Sequence, residues 1–84
     1  MVPIPKIKTI EAIADFKLHI IFDDGFEVEY DVKEDIKNIP AFKDLETQIG
    51  LFKAFTVDES RTCVTWTDKI DLPSDTLREF GIPV

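Results

Sequence analysis

The residues that could perform catalysis are few in this sequence, and each fits a structural position. His19 is the only histidine, so any Ser-His-Asp or Cys-His arrangement must use it. The serine and cysteine nucleophiles are Ser60, Ser74 and Cys63. Ser60 fits a turn, Ser74 fits a helix N-cap and Cys63 fits a half-buried strand, and no nucleophile-elbow motif accompanies them. We therefore predict that the protein is not an enzyme.

Carboxylates are more abundant, and three of them alternate along one predicted strand. Glu27, Glu29 and Asp31 lie on one strand face about 7 Å apart, because side chains on that face recur at every second residue. The preceding Asp23-Asp24-Gly25 lacks the ligand spacing of a calcium loop, and no His or Cys cluster offers softer ligands. We predict no metal and no cofactor. The row is either a solvated strand face or a contact surface for a basic partner.

A second candidate surface surrounds Trp66, the only tryptophan. An exposed Trp can anchor an interface, whereas a Trp at the end of an apolar strand usually closes a core, and this second interpretation is favoured. Carboxylates follow it along the chain. The residues that we predict as partner-binding are Glu27, Glu29, Asp31, Trp66, Asp68, Asp71 and Asp75.

Length and charge restrict the possible functions. With 84 residues, of which 44% are hydrophobic, we expect one domain over residues 1–84, with residues 1–5 as an extended lead-in. The net charge of −7 comes from 17 acidic and 10 basic side chains. Because nucleic-acid affinity requires Lys and Arg that neutralise phosphates, we expect no direct nucleic-acid binding and favour a basic protein partner. We expect a monomer or a small homo-oligomer.

The sequence carries no sign of export or membrane insertion. One cysteine cannot form an intrachain disulfide, and no signal-peptide pattern opens the chain. No stretch approaches the roughly 18 apolar residues that are needed to cross a bilayer. The prediction is a cytoplasmic protein with no membrane partner.

Two runs of alternating apolar residues flank Asp23-Asp24-Gly25 and predict a β-hairpin. A two-residue turn would place core residues and acids on one face, so we predict a three-residue turn with Gly25 in the left-handed conformation. The predicted cross-strand pairs are Phe22–Phe26, Ile20–Val28 and Leu18–Tyr30 on the core face. On the outer face they are Lys17–Asp31 and His19–Glu29, and both are attractive if His19 is protonated.

A short helical turn is predicted within residues 31–38, followed by one amphipathic helix. Asn38 is the expected N-cap, Pro40 fits the first turn, and Gly50 is the expected stop. The inward-facing positions of this helix are Phe42, Leu45 and Ile49.

A second hairpin is predicted between Lys53 and Trp66, around a four-residue turn at Asp58–Arg61. The predicted pairs are Phe55–Val64 and Val57–Thr62. A C-terminal helix is expected to begin at an N-cap on Ser74 and to be closed by Gly81 and Pro83. The fold class is therefore a small α+β domain of antiparallel hairpins, with about five strands and one or two short helices.

Several of these strings also resemble the bacterial domain of unknown function 2442, over about residues 6–81. They are Phe22-Asp23-Asp24-Gly25, Tyr30-Asp31-Val32, the spacing of Phe42, Leu45 and Phe52, and Val64-Thr65-Trp66 leading to Ile70-Asp71-Leu72-Pro73-Ser74-Asp75. The resemblance implies a compact α+β domain, often encoded beside another small protein in what looks like a toxin and antitoxin pair. It assigns no catalytic or ligand residues. Some members carry an added DNA-binding segment, for which this chain has no length.

Two functions are therefore expected, from different classes. The first is a non-enzymatic interaction module, the antitoxin-like partner of a basic protein encoded by an adjacent gene. The second is a small-molecule-binding or enzymatic domain with a pocket near Trp66. A concave site near Trp66 favours the second, and an acidic contact surface favours the first.

Overall fold

The computed structural model describes residues 4–84, which form seven strands and three α-helices. The elements in chain order are β1 (Ile7–Ile13), β2 (Lys17–Phe22), β3 (Glu27–Asp31), α1 (Lys33–Asn38), a 3₁₀ turn (Pro40–Lys43), α2 (Asp44–Thr47), β4 (Thr56–Val57), β5 (Cys63–Thr67), β6 (Ile70–Pro73), α3 (Ser74–Phe80) and β7 (Ile82–Pro83). Of the predicted lead-in, residues 1–3 lie outside the described residues, and residues 4 and 5 precede β1 without regular secondary structure. The α+β class is confirmed.

The strands form two antiparallel sheets around a shared core. One sheet has the order β1-β2-β3-β7 and the other β4-β5-β6. Alternate residues of β2 and β3 point inward, and they join buried side chains from the second sheet, from α1 and from α3 in a single hydrophobic cluster. The helices within residues 4–84 all fall short of the length and hydrophobicity that a membrane span requires.

The predicted register of the first hairpin is confirmed. Leu18 pairs with Tyr30 and Ile20 with Val28, and the Phe22 N–H donates to the Phe26 carbonyl over 2.9 Å. Gly25 has a φ of 88°, in the left-handed region that glycine adopts without a steric penalty. The three-residue turn at residues 23–25 therefore keeps the acidic side chains of β3 on the outer face of the sheet.

The predicted register of the second hairpin is wrong by two residues. Val57 pairs with Val64 rather than Thr62, and Thr56 pairs with Thr65. The physical reason is Asp58, whose carboxylate accepts hydrogen bonds from the backbone N–H groups of Thr62 and Cys63, over 2.9 and 3.1 Å. These bonds make residues 59–62 the loop.

The predicted amphipathic helix is shorter than expected and is not capped by Asn38. A 3₁₀ turn beginning at Pro40 leads into α2, which ends at Thr47, and neither has a side-chain cap. Phe42 and Leu45 are buried as predicted, but the helix ends before Ile49, whose side chain is fully exposed. The prediction for Ile49 is therefore wrong.

Ser74 does not cap α3, contrary to the sequence-based expectation. Its side chain is fully buried, and its hydroxyl donates to the Pro5 carbonyl over 2.6 Å. Its backbone N–H donates to the Thr62 carbonyl over 2.8 Å. Ser74 thus holds the start of α3 against two distant segments. The helix does end where expected, immediately before Gly81.

Candidate functional site

The acidic row on β3, made of Glu27, Glu29 and Asp31, lies on the outer face as predicted, half-buried between neighbouring strands. The expected ion pairs are wrong in detail, because the side chains pair diagonally. Lys17 Nζ lies 3.6 Å from Glu29, and His19 Nε2 lies 2.5 Å from Glu27, although the backbone register is the predicted one. Long side chains reach diagonal neighbours across antiparallel strands. Lys17 therefore offsets part of the negative charge of the row.

The other end of the row opens into a groove of about 400 Å³ between β3, α1 and the end of α3. We call it the acidic groove. Its lining residues are Glu29, Tyr30, Asp31, Glu34, Asp35, Thr76, Phe80 and Ile82. It contains four carboxylates together with two exposed apolar side chains.

Local hydrogen bonds place the carboxylates of the acidic groove. Asp31 Oδ1 accepts from the Lys33 N–H over 2.9 Å, so α1 begins directly at the end of β3. The Tyr30 hydroxyl donates to Asp35 Oδ2 over 2.6 Å. Burial and this neighbouring carboxylate raise the pKa of Tyr30, which keeps its hydroxyl protonated and donating. Glu34 is exposed and makes no ion pair with the residues from 4 to 84.

The apolar side of the groove is formed by Phe80 and Ile82, which are 69% and 70% exposed. Gly81 between them makes the arrangement possible, because a Cβ at this position would lie 2.9 Å from the Val28 Cβ. The absence of a side chain lets β7 pack against β3, where Ile82 pairs with Glu29. Two large apolar side chains are thereby held in solvent beside four carboxylates.

The structure separates the other predicted site residues from this groove. Trp66 is 8% exposed and its indole N–H donates to the Phe52 carbonyl over 2.8 Å, so its interpretation as a core lid is confirmed. Asp68, Asp71 and Asp75 are exposed but do not line the groove. Glu27 does not line it either.

The sequence-based prediction missed most of the groove. The residues that it did not select are Tyr30, Glu34, Asp35, Thr76, Phe80 and Ile82. The two acids in the first turn of α1 were a visible signal, since they directly follow the acidic row. The apolar residues on either side of Gly81 were a second signal.

Both arginines of the sequence are engaged at the first hairpin's turn. Arg61 forms a bidentate pair with Asp23, and Arg78 forms one with Asp24, with shortest distances of 2.8 Å. The Arg78 guanidinium also lies 4.4 Å from the centre of the Phe26 ring. These contacts remove the two turn carboxylates from the candidate surface.

Among residues 4–84, no group of three His, Cys, Asp or Glu side chains is placed to hold a metal.

A second concavity, of about 440 Å³, lies beside the turn between β1 and β2, and we call it the turn cavity. Its lining residues are Ile13, Ala14, Asp15, Phe16, Leu45, Glu46, Gln48, Ile49, Gly50, Phe52 and Lys53. The ring of Phe52 stacks on Trp66 with centroids 6.1 Å apart. The cavity is therefore one residue away from the tryptophan.

Comparison with known proteins identifies one family. The model of a family described as "Protein of unknown function (DUF2442)" matches residues 7–83. No curated protein and no solved structure matches the chain.

Proposed function

The chain belongs to the DUF2442 family of proteins of unknown function, and we propose that it is a non-enzymatic interaction domain that binds a basic, partly apolar segment of another protein. The observation that carries the proposal is the acidic groove, where Glu29, Asp31 and Glu34 surround the exposed Phe80 and Ile82. Large exposed apolar side chains rimmed by charge are typical of protein interaction sites.

Charge determines the kind of partner that the acidic groove would accept. Glu34 makes no ion pair with the described residues, and Asp35 is occupied by the Tyr30 hydroxyl. Incoming Arg or Lys side chains would find acceptors along the rim, while an apolar side chain would cover Phe80. A net charge of −7 would also accelerate the encounter with a basic protein, and the effect would weaken with salt.

The direct test uses a fluorescent synthetic peptide that alternates Arg and Leu, with binding followed by anisotropy. Glu34→Lys should weaken binding about tenfold, because one attraction is replaced by a repulsion. Glu59→Lys is the matched control, since it makes the same charge change at an exposed loop residue outside the groove. Equal losses of peptide affinity in the two variants would mean that only general charge attraction is at work, and they would exclude the acidic groove as the binding site.

The apolar half of the groove needs a separate test. Phe80→Ala should weaken binding of the Arg-Leu peptide, because its leucines would contact the Phe80 ring. A peptide that alternates Arg and Ser should bind the unmodified protein more weakly than the Arg-Leu peptide does, and Phe80→Ala should leave its affinity unchanged. Ile4→Ala is the control, since it truncates another exposed apolar residue that lines neither the groove nor the turn cavity. If both peptides bind equally well to the unmodified protein, the apolar contact does not contribute.

The identity of the partner follows from the resemblance rather than from the groove. We expect a basic protein encoded by the adjacent gene, with this chain in the antitoxin-like role. The purified neighbour should displace the Arg-Leu peptide, and co-expression should relieve any growth inhibition that the neighbour causes. A neighbour that fails to compete at saturating concentration would exclude it as the partner.

A further inference from the structure

The turn cavity has the size and the walls of a small-molecule site. Its volume of about 440 Å³ lies within the usual range for ligand pockets. One wall is Phe16, whose ring meets the Phe52 ring edge to face with centroids 5.2 Å apart. Phe52 and Leu45 are 7% and 2% exposed, so the core fixes them in place. The cavity therefore has a rigid aromatic wall.

Ile49 explains why this space is empty of protein. Its spacing from Phe42 and Leu45 would direct it inward if α2 continued, but α2 ends at Thr47 and Gly50 has a φ of 84°. The Ile49 side chain consequently lies at the cavity rim, fully exposed. An apolar side chain in solvent beside an apolar cavity gains burial when a ligand fills the space between them.

The charges at the rim determine the class of ligand. Asp15 and Glu46 contribute two carboxylates and Lys53 contributes one ammonium group. This balance favours a cation, and the rings of Phe16 and Phe52 favour an aromatic body, since aromatic pairs add stabilisation beyond their buried area. No residue of the acidic groove lines this cavity, so the site is separate from the proposed partner surface.

We propose that the turn cavity binds a small aromatic amine, with its ring against Phe16 and Phe52, its ammonium at the Asp15 and Glu46 rim, and Ile49 covering its outer side. The inference does not depend on the acidic groove.

The test is an NMR titration of the ¹⁵N-labelled protein with phenethylamine. Backbone amide shifts should be confined to residues lining the cavity. Beyond that lining, only the Trp66 indole N–H should also shift, because it donates to the carbonyl of the lining residue Phe52. Phenylpropionate carries a similar ring with the opposite charge, and it should bind about threefold more weakly or worse. Glu46→Gln should lower the affinity for phenethylamine, whereas Lys53→Gln should raise it.

Ile49→Ala provides the decisive variant because the residue is exposed and its truncation leaves the core intact. We expect it to weaken phenethylamine about fivefold, and Ile82→Ala, an exposed residue outside the cavity, to leave the affinity unchanged. Unchanged affinity in Ile49→Ala, equal binding of the anion, or shifts scattered over the surface would overturn the proposal. Cavity shifts on dilution of the protein alone would assign the cavity to a second copy instead.

Discussion

Removing the hydroxyl of Ser74 should loosen the start of the first sheet rather than the helix that Ser74 begins. In Ser74→Ala the Pro5 carbonyl loses its donor at 2.6 Å, and the backbone bond from residue 74 to Thr62 stays. Pro5 is half-buried, so water can replace the donor only in part. We expect a loss of about 1 kcal/mol in the free energy of unfolding, with a fall in Tm of about 4–8 °C for a domain of this size.

Hydrogen exchange locates the effect. The Ile7 N–H donates to the Arg61 backbone carbonyl and the Asp23 N–H donates to the Lys6 backbone carbonyl, both near the tethered segment. These two amides should exchange faster in Ser74→Ala, while the Gly81 amide, bonded to the Leu77 carbonyl at the end of α3, should keep its protection.

Asp75→Ala is the matched variant, which should loosen α3 rather than the start of the first sheet. The Asp75 carboxylate lies in the first turn of α3, where it accepts from the Thr76 N–H and interacts favourably with the positive end of the helix dipole. Its removal should deprotect α3 and leave the Ile7 amide unaffected. The tether argument is refuted if Ser74→Ala deprotects α3 first, because that is the behaviour of a lost N-cap.

Three further perturbations test the packing and the charges. Arg78→Met should reduce the loss of stability on acidification, measured by urea unfolding at a series of pH values. Hydrogen bonds from Arg78 lower the pKa of Asp24, so the stability that this carboxylate contributes is present above its unfolded pKa and is lost as the pH falls through its folded pKa. An unchanged dependence of stability on acid pH would contradict this. Trp66→Phe deletes the indole N–H that donates to the Phe52 carbonyl over 2.8 Å, and it should lower the free energy of unfolding by about 1–3 kcal/mol. Urea unfolding followed by circular dichroism measures the change, and no loss would mean that another donor replaces the indole. Gly81→Ala would set a Cβ 2.5 Å from a carbonyl oxygen of α3 and should cost about 1–3 kcal/mol, and an unchanged Tm would show that β7 can move away.

The two hairpins show what residue patterns can and cannot determine. In the first, a change of one residue in the turn would exchange the buried and exposed faces, so the alternation selected the three-residue turn. In the second, a shift of two residues leaves every side chain on the same face. Only the hydrogen bonds of Asp58 decide between those registers, and periodicity does not report them.

The missed parts of the site depend on long-range contacts. The acidic groove joins Glu34 on α1 to Phe80 and Ile82, which lie far along the chain. The Ser74 bond to Pro5 links residues near opposite ends of the described chain. Ile49 fails for a local reason, because its helix ends early although the apolar spacing continues. The acids of β3 were predictable since strand alternation alone places them outward.

The pairing of β7 with β3 affects the order of folding. β2 and β3 are adjacent in the chain and can pair as soon as their turn closes, whereas residues 82 and 83 must return across more than half the sequence to pair with Glu29 and Val28. Closing that long loop costs entropy before its contacts contribute. During synthesis, the edge of β3 that faces away from β2 would therefore remain open until β7 has emerged. Until then the carboxylates of the acidic row are expected to keep this unpaired edge from associating with other nascent chains.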